Sequence, residues 1–294
     1  MKNSIIFVLS EKSSGSSYLA RVLKELFKCN NYPVTQHYQN ETLYWTKAAS
    51  VLGLSQLKML ESSVPYSKSV AKADLEDFLS INLDDKSYDV NNKTDLFDAW
   101  LALSKRFGPI FIEKSPHHLL QPSVLTLLSE FKVYCEGIVD VQFVCIVRNP
   151  ITTGYSQYRR WQIPPNRFYE QWKLTYLNWL SFSRLEGEHC SLIRYEELVM
   201  NPACALRPLV DKCGIDLSEM KLKEKGIAPK EQYLNDRFFH GVPDESVISL
   251  AKKYGYKENE LIVNQSFPLW VCTVKLYLYR VMRSVYRRFK PYKG

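Results

Sequence analysis

Ile5-Ile6-Phe7-Val8-Leu9 is an unbroken apolar run that gives way to a small-polar loop, and this junction narrows the fold more than any other feature of the chain. A run so short and continuous fits a strand covered on both faces. The loop of small polar residues spans Ser10 to Ser17, and after it Tyr18, Leu19, Val22, Leu23, Leu26 and Phe27 recur at helical spacing. Similar runs stand at Ile110-Phe111-Ile112, at Val141 to Val147 and, more weakly, at Ser191-Leu192-Ile193; Tyr32 to Thr35 is a candidate second strand. Helical patterns lie between them, around 43–62, 95–106, 120–133 and 165–186. Strands alternating with helices imply an α/β fold with a central parallel sheet flanked by helices.

A chain of 294 residues can bury a large core, and its length points to one large domain or at most two. We read a body at 1–267 and a separate basic helix at 268–294. Long surface loops are expected from Asp84 to Lys93 and around Lys221 to Asp236. The net charge of +8 is unevenly placed: Lys275, Arg280, Arg283, Arg287, Arg288, Lys290 and Lys293 fall after Pro268, with no acid among them. Without those seven of the 39 Lys and Arg, 32 bases face 31 acids, so the body is nearly neutral. That argues against a general nucleic-acid surface. Trp270, Val274, Leu278, Val281, Met282, Val285 and Phe289 recur among the basic residues, the pattern of an amphipathic helix. Such a helix lies on an anionic membrane or packs on the core or a partner; the residues alone leave both readings open.

The seven cysteines are odd in number, scattered and never C-x-x-C, which fits reduced thiols and a cytosolic setting better than disulfides or zinc. Only five apolar residues come after Met1-Lys2-Asn3-Ser4, too few for a signal-peptide core or a membrane span.

Three segments carry chemistry. In Ser10-Glu11-Lys12-Ser13-Ser14-Gly15-Ser16-Ser17, one glycine sits among hydroxyl residues between strand and helix. Successive backbone amides at a helix N-terminus form an anion nest, Ser16 and Ser17 add hydroxyls, and Lys12 adds charge. Helix capping alone is the plainer alternative, and the Walker A pattern is absent. In Phe143 to Tyr158, a buried strand ends at Arg148, a turn starts at Asn149-Pro150, and a helix carries Ser156 and Arg160 on one face. Ligands of open parallel sheets bind beyond the carboxyl ends of strands, where Arg148 can grip a phosphate or make a structural ion pair. In Phe111-Ile112-Glu113-Lys114-Ser115-Pro116-His117-His118, Lys114 ends a buried strand at the same edge.

Taken in chain order, these three segments and a fourth from Ser191 to Pro202 resemble the P-loop-like sulfotransferases that use 3′-phosphoadenosine 5′-phosphosulfate (PAPS), nearest to carbohydrate, tyrosyl-protein and bacterial members. Ser13-Ser14-Gly15-Ser16-Ser17 is similar to the family's 5′-phosphosulfate loop, and Arg148 with Ser156, eight residues on, to its 3′-phosphate pair. Arg160 falls where some members add a base. Glu113-Lys114-Ser115-Pro116 resembles the stretch whose lysine faces the transferring group. Ser191 to Leu198 with Asn201-Pro202 resembles a late segment whose tyrosine, here Tyr195, lines the nucleotide pocket. The departure is Ser13, where the family usually has a basic residue; Lys12 stands one position earlier. The resemblance implies PAPS as donor, 3′-phosphoadenosine 5′-phosphate (PAP) as product, no metal, and a hydroxyl acceptor on a sugar or glycolipid.

The resemblance also implies a proton acceptor early in the chain. Glu41 is the first choice, His37 the second, and His117 and His118 outsiders; Glu113 is expected to pair with Lys114. The alternatives are a P-loop-type nucleotide kinase and a non-catalytic membrane-peripheral protein on the same fold.

Overall fold

The computed structural model describes residues 3–29, 32–35, 37, 40–83, 88–213, 232–263 and 267–289. The elements run β1 (Ser4–Ser10), α1 (Ser16–Leu26), α2 (Tyr44–Val51), α3 (Lys68–Asn82), α4 (Lys93–Arg106), β2 (Ile110–Lys114), α5 (Pro122–Tyr134) and β3 (Asp140–Val147). They continue as α6 (Pro150–Trp161), α7 (Pro165–Glu186), β4 (Cys190–Arg194), α8 (Tyr195–Met200), α9 (Pro202–Lys212), α10 (Glu245–Lys253) and α11 (Leu269–Phe289). Two compact units result, one from Met1–Arg148 with Leu174–Ala228, the other from Asn149–Lys173 with Pro229–Gly294.

The first unit holds a four-stranded sheet in the order β2-β1-β3-β4, every pair parallel. The chain therefore leaves β1 to one side for β2 and returns to the other side for β3, which makes a topological switch point beside β1. All seven residues of β1 are buried, as expected of a strand covered on both faces. Alternation assigns the faces. Ile6, Val8, Ile110, Ile112, Val144, Ile146 and Ile193 pack with Leu19, Leu23, Leu26, Leu198, Leu206 and Leu209 from α1, α8 and α9. On the opposite face Phe7 meets Trp45, Trp100 and Phe131 at ring-centroid distances of 5.9, 6.1 and 6.4 Å. Phe143 meets Phe182 of α7 at 4.8 Å.

In the second unit, Asn149 caps α6 by accepting from the amide of Ile151 at 2.9 Å and donates to the Glu260 carbonyl at 2.7 Å. Tyr155 and Tyr158 pack on Phe239 at 5.1 and 5.5 Å. Gly154 lets Phe168 approach so closely that a Cβ would stand 2.8 Å from its ring. Helix α11 buries Cys272 and exposes Trp270, Val274, Tyr277, Leu278, Val281 and Val285.

The helical stretches 95–106, 120–133 and 165–186 correspond to α4, α5 and α7. The stretch 43–62 does not run through: α2 ends at Val51, Gly53 takes φ 68°, and the amides of Leu54 and Gly53 return to the carbonyls of Ala49 and Ser50. That is a Schellman closure, which needs a left-handed residue just beyond the helix. Tyr32 to Thr35 is not a strand. Pro33 has no amide to offer a sheet, and the side chain of Asn82 takes both the N–H (2.7 Å) and the carbonyl (2.9 Å) of Val34. Helix α3, outside the expected stretches, buries Ala71, Leu75, Phe78, Leu79 and Asn82. Of the two expected long loops, 84–87 of the first and 221–231 of the second lie outside the described residues. The seven cysteines form no disulfide.

Candidate active site

The carboxyl ends of the four strands bring the sequence candidates to one edge. Pairing aligns Val8 with Lys114, Ser10 with Ile146, and Val147 with Arg194. The 11–17 loop, Lys114, Arg148 and Tyr195 are thus the last or next residues of β1, β2, β3 and β4. This is the edge where open parallel sheets bind ligands.

The loop is built as a cradle. Ser13 and Gly15 both have left-handed backbones, at φ 65° and 95°. For Ser13 that conformation costs about 1–3 kcal/mol, strain found most often at ligand clamps. The amide of Ser14 is taken by the Glu11 carbonyl, and those of Tyr18 and Leu19 by the Gly15 carbonyl. Gly15, Ser16 and Ser17 have no backbone acceptor for their amides among the described residues, the usual condition of a helix's first turn. Ser13 Oγ is buried without a hydrogen-bond partner among the described residues. Ser14 faces inward: its hydroxyl sits 3.0 Å from Tyr176 OH, which donates to the Ile146 carbonyl. Glu11, fully buried, accepts from the Lys12 amide at 3.0 Å and from Thr175 Oγ1 at 2.9 Å.

Arg148 and Tyr195 close the cradle. Arg148 Nη1 donates to the Ser13 carbonyl at 3.1 Å, and its guanidinium stands 4.6 Å from the Tyr195 ring centroid. The same ring lies against Gly15, where a Cβ would stand 2.2 Å from Tyr195 Cδ2. Lys12 is placed differently. Its buried ammonium donates to the carbonyls of Leu60 and Glu61, and burial holds its pKa below the usual lysine range against the pull of Glu11, Glu61 and Glu41. The loop therefore presents amides, while the lysine's charge is felt by Glu41 and His117.

A second cluster surrounds Glu41. Its Oε1 accepts from Lys114 Nζ at 2.9 Å, and its Oε2 lies 3.6 Å from both His37 Nδ1 and His117 Nδ1. Glu41 and Lys114 are 4% and 6% exposed, so the pair is desolvated and each needs the other. Burial holds the imidazole of His117 well below its ordinary range, reinforced by the charges of Lys12, His118, His37 and Lys114, and His37 is lowered by burial too.

Glu113 does not pair with Lys114 as expected. Neighbours along a strand point to opposite faces, and Glu113 turns to accept from Thr42 Oγ1 (2.8 Å) and Ser115 Oγ (2.5 Å), with His118 Nδ1 at 3.5 Å. Burial pushes its carboxyl up, but His118 and the two hydroxyl donors outweigh that and hold it below the usual carboxylate range.

Two cavities open here. One, of about 250 Å³, is lined by Ser17, Arg21 and Lys24 of α1, by Thr35, Asn40 and Thr42, and by Glu113 and Lys114. The other, of about 230 Å³, is lined by Ser17, Tyr18, Arg21, Tyr195 and Val199. Lys114 and Ser17, far apart in sequence, thus face one space.

A family model described as "Sulfotransferase family" matches residues 5–219, which contain the sheet, the cradle and the Glu41 cluster. The chain belongs to the sulfotransferase family. No curated protein matches it in sequence. Among solved structures it is similar to the sulfotransferase domain of the Synechococcus PCC 7002 olefin synthase, with a TM-score of 0.54 and 19% identity over 87% of this chain and 96% of that one. It is also similar to a sulfotransferase from Alicyclobacillus acidocaldarius, with a TM-score of 0.50 and 14% identity over 88% and 98%. At such identities the likeness is one of fold.

In this sulfotransferase, Ser156 and Arg160 lie on α6 in the second unit, Ser156 half-buried and Arg160 exposed with its guanidinium 5.5 Å from the Trp161 ring. No group of three or more His, Cys, Asp or Glu among the described residues could hold a metal. Three residues of the site escape a reading of the sequence. Glu11 looks like loop filler. Arg21 and Lys24 come after Ser17 at i+4 and i+7 on α1, a spacing legible without any structure.

Proposed function

We propose that this sulfotransferase takes its sulfuryl group from PAPS and passes it to a hydroxyl of a carbohydrate or glycolipid, with Glu41 receiving the hydroxyl's proton. The observation behind this reading is the cradle of unclaimed amides on the same sheet edge as the buried Glu41–Lys114 pair. The residues suit such a donor: the Gly15–Ser17 amides and Ser13 Oγ for its phosphosulfate end, Arg148 for its far phosphate, and Tyr195 for its base. When bound, PAPS supplies a sulfuryl group on a phosphate leaving group. Lys114, in the cavity wall and bonded to Glu41, holds positive charge where the leaving phosphate gains negative charge. Glu41 gives Oε1 to Lys114 and keeps Oε2 outside that bond, the oxygen we assign to receive the proton. Ser17, Thr35, Asn40 and Thr42 give the cavity a polar lining suited to a sugar. The free thiols fit a cytoplasmic setting.

Calorimetry with PAP tests the donor. Wild type should bind it, more weakly at high salt, and Arg148→Ala should raise Kd by at least about tenfold, since a hydrogen bond to a charged group contributes roughly 1.5–3 kcal/mol. Absence of PAP binding by wild type overturns the reading. Preference for ATP with Mg²⁺ would favour a kinase instead.

We also infer that α11 rests on an anionic membrane surface. Trp270, Val274, Tyr277, Leu278, Val281 and Val285 succeed one another at i, i+4, i+7, i+8, i+11 and i+15, an exposed apolar stripe, with Met282 beside it and Tyr279 exposed on another face. No described helix is long and apolar enough to cross a membrane, so the stripe suits lying on a bilayer rather than spanning it. Seven bases with no acid after Pro268 favour anionic headgroups and oppose pairing with a second copy. Full-length protein should sediment with phosphatidylserine vesicles and not with phosphatidylcholine ones. The Trp270→Ser/Leu278→Ser variant should stay in solution; equal sedimentation of both proteins would end the idea.

A further inference from the structure

Ser17, Arg21 and Lys24 form one stripe along α1, and all three line the 250 Å³ cavity that Lys114 faces from β2. Three cations thus share a space just under the roughly 300–1,000 Å³ common for small-molecule pockets. Two of the charged groups there are already committed. Lys114 is paired with Glu41, and Glu113, the acid in the lining, serves Thr42, Ser115 and His118.

Arg21 and Lys24 have aromatic partners instead. The Arg21 guanidinium lies 5.3 Å from the Tyr18 ring centroid, and Lys24 Nζ lies 3.1 Å from that of Tyr32. Neither has a carboxylate within ion-pair distance among the described residues. The segment 30–40, which supplies Tyr32, Pro33, Thr35 and Asn40 to the wall, contains no acid in its sequence. Burial, with repulsion from Lys114, brings the Lys24 ammonium down to about 8, as expected of a cation desolvated without a counterion. Arg148, the residue suited to the donor's far phosphate, does not line this cavity. The positive charge here is therefore surplus to that phosphate.

We propose that the acceptor is itself anionic, carrying beside its reactive hydroxyl a carboxylate or sulfate ester that seats between Arg21 and Lys24. The proposal rests on the sulfuryl-transfer reading for naming the ligand an acceptor. It narrows the substrate class from any sugar or glycolipid to an acidic or already sulfated one.

The anion could instead be borne by the donor, and the test separates the two. Protein saturated with PAP is titrated with sodium sulfate against sodium chloride of equal ionic strength, and the thermal midpoint is followed. Sulfate should raise the midpoint of wild type, with its Kd about tenfold higher in Lys24→Met and in Arg21→Gln and restored in Lys24→Arg. The Kd for PAP should stay within about twofold in both Lys24 variants, tenfold being the mark of one lost charged contact; Arg21 also borders the Tyr195 cavity, so its variant is read through sulfate alone. Sulfate acting alike on wild type and variants overturns the proposal. So does a weakened affinity for PAP in Lys24→Met, which would give these cations to the donor. If wild type binds no PAP, the donor reading fails by that result. The same sulfate titration on the free protein then still decides whether Arg21 and Lys24 form an anion site.

Discussion

Glu41→Gln is expected to lower kcat by about 10²–10⁴-fold while PAP still binds, the range seen when a positioned general base is removed. The substitution keeps shape and removes charge, so it asks whether the carboxylate itself takes the proton. It has a second consequence. Lys114 Nζ, 2.9 Å from Glu41 Oε1 and 6% exposed, loses its counterion. Breaking one side of a buried pair costs about 3–5 kcal/mol of stability. Turnover must therefore be measured well below the variant's midpoint and per folded molecule. The double variant Glu41→Gln/Lys114→Met separates the two effects: it should recover much of the stability and none of the turnover. Turnover of Glu41→Gln near that of wild type removes Glu41 from the role. His37→Asn and His117→Asn then decide the base, because both imidazoles lie 3.6 Å from the same oxygen and burial disfavours the charged form of each.

Legibility in the residues alone runs along a physical divide. The strands are legible because a strand buried on both faces has no polar position to interrupt its apolar run, as in Ile5 to Leu9. The edge on which Arg148 and Lys114 stand is a consequence of those strands being parallel. Contacts that one residue makes far along the chain are hidden. Asn82 removes Val34 from any sheet by binding its N–H and carbonyl, and nothing near Val34 announces it. The partners of Glu113 and Lys114 are an intermediate case. Alternation along β2 already sends the two side chains to opposite faces, but Glu41 and Thr42 as the receiving groups require the fold. Lys12 shows how adjacency in sequence misleads. It sits one position from the expected cation of the loop, yet its ammonium is held by the 60–61 carbonyls, partners that nothing near it in sequence announces.

Gly15→Ala is expected to weaken donor binding strongly although it adds only one methyl group. Two costs fall on it together. Its backbone is left-handed, φ 95°, which an L side chain adopts at about 1–3 kcal/mol. Its Cβ would stand 2.2 and 2.6 Å from Cδ2 and Cε2 of Tyr195, and relieving such overpacking costs about 1–3 kcal/mol more. The ring cannot move alone, because the Arg148 guanidinium lies over it and Arg148 also holds the Ser13 carbonyl. Shifting Tyr195 therefore disturbs the cation and the cradle at once. The strain itself should lower the thermal midpoint, and displacement of Tyr195 with Arg148 should raise the Kd for PAP by at least about tenfold, the loss of one charged contact. Tyr195→Ala divides the two causes. On that background Gly15→Ala has no ring to meet, and only the backbone cost should remain, so the two substitutions together should cost less than their sum. Binding of PAP by Gly15→Ala within twofold of wild type would show that neither the turn nor the ring above it shapes the donor site.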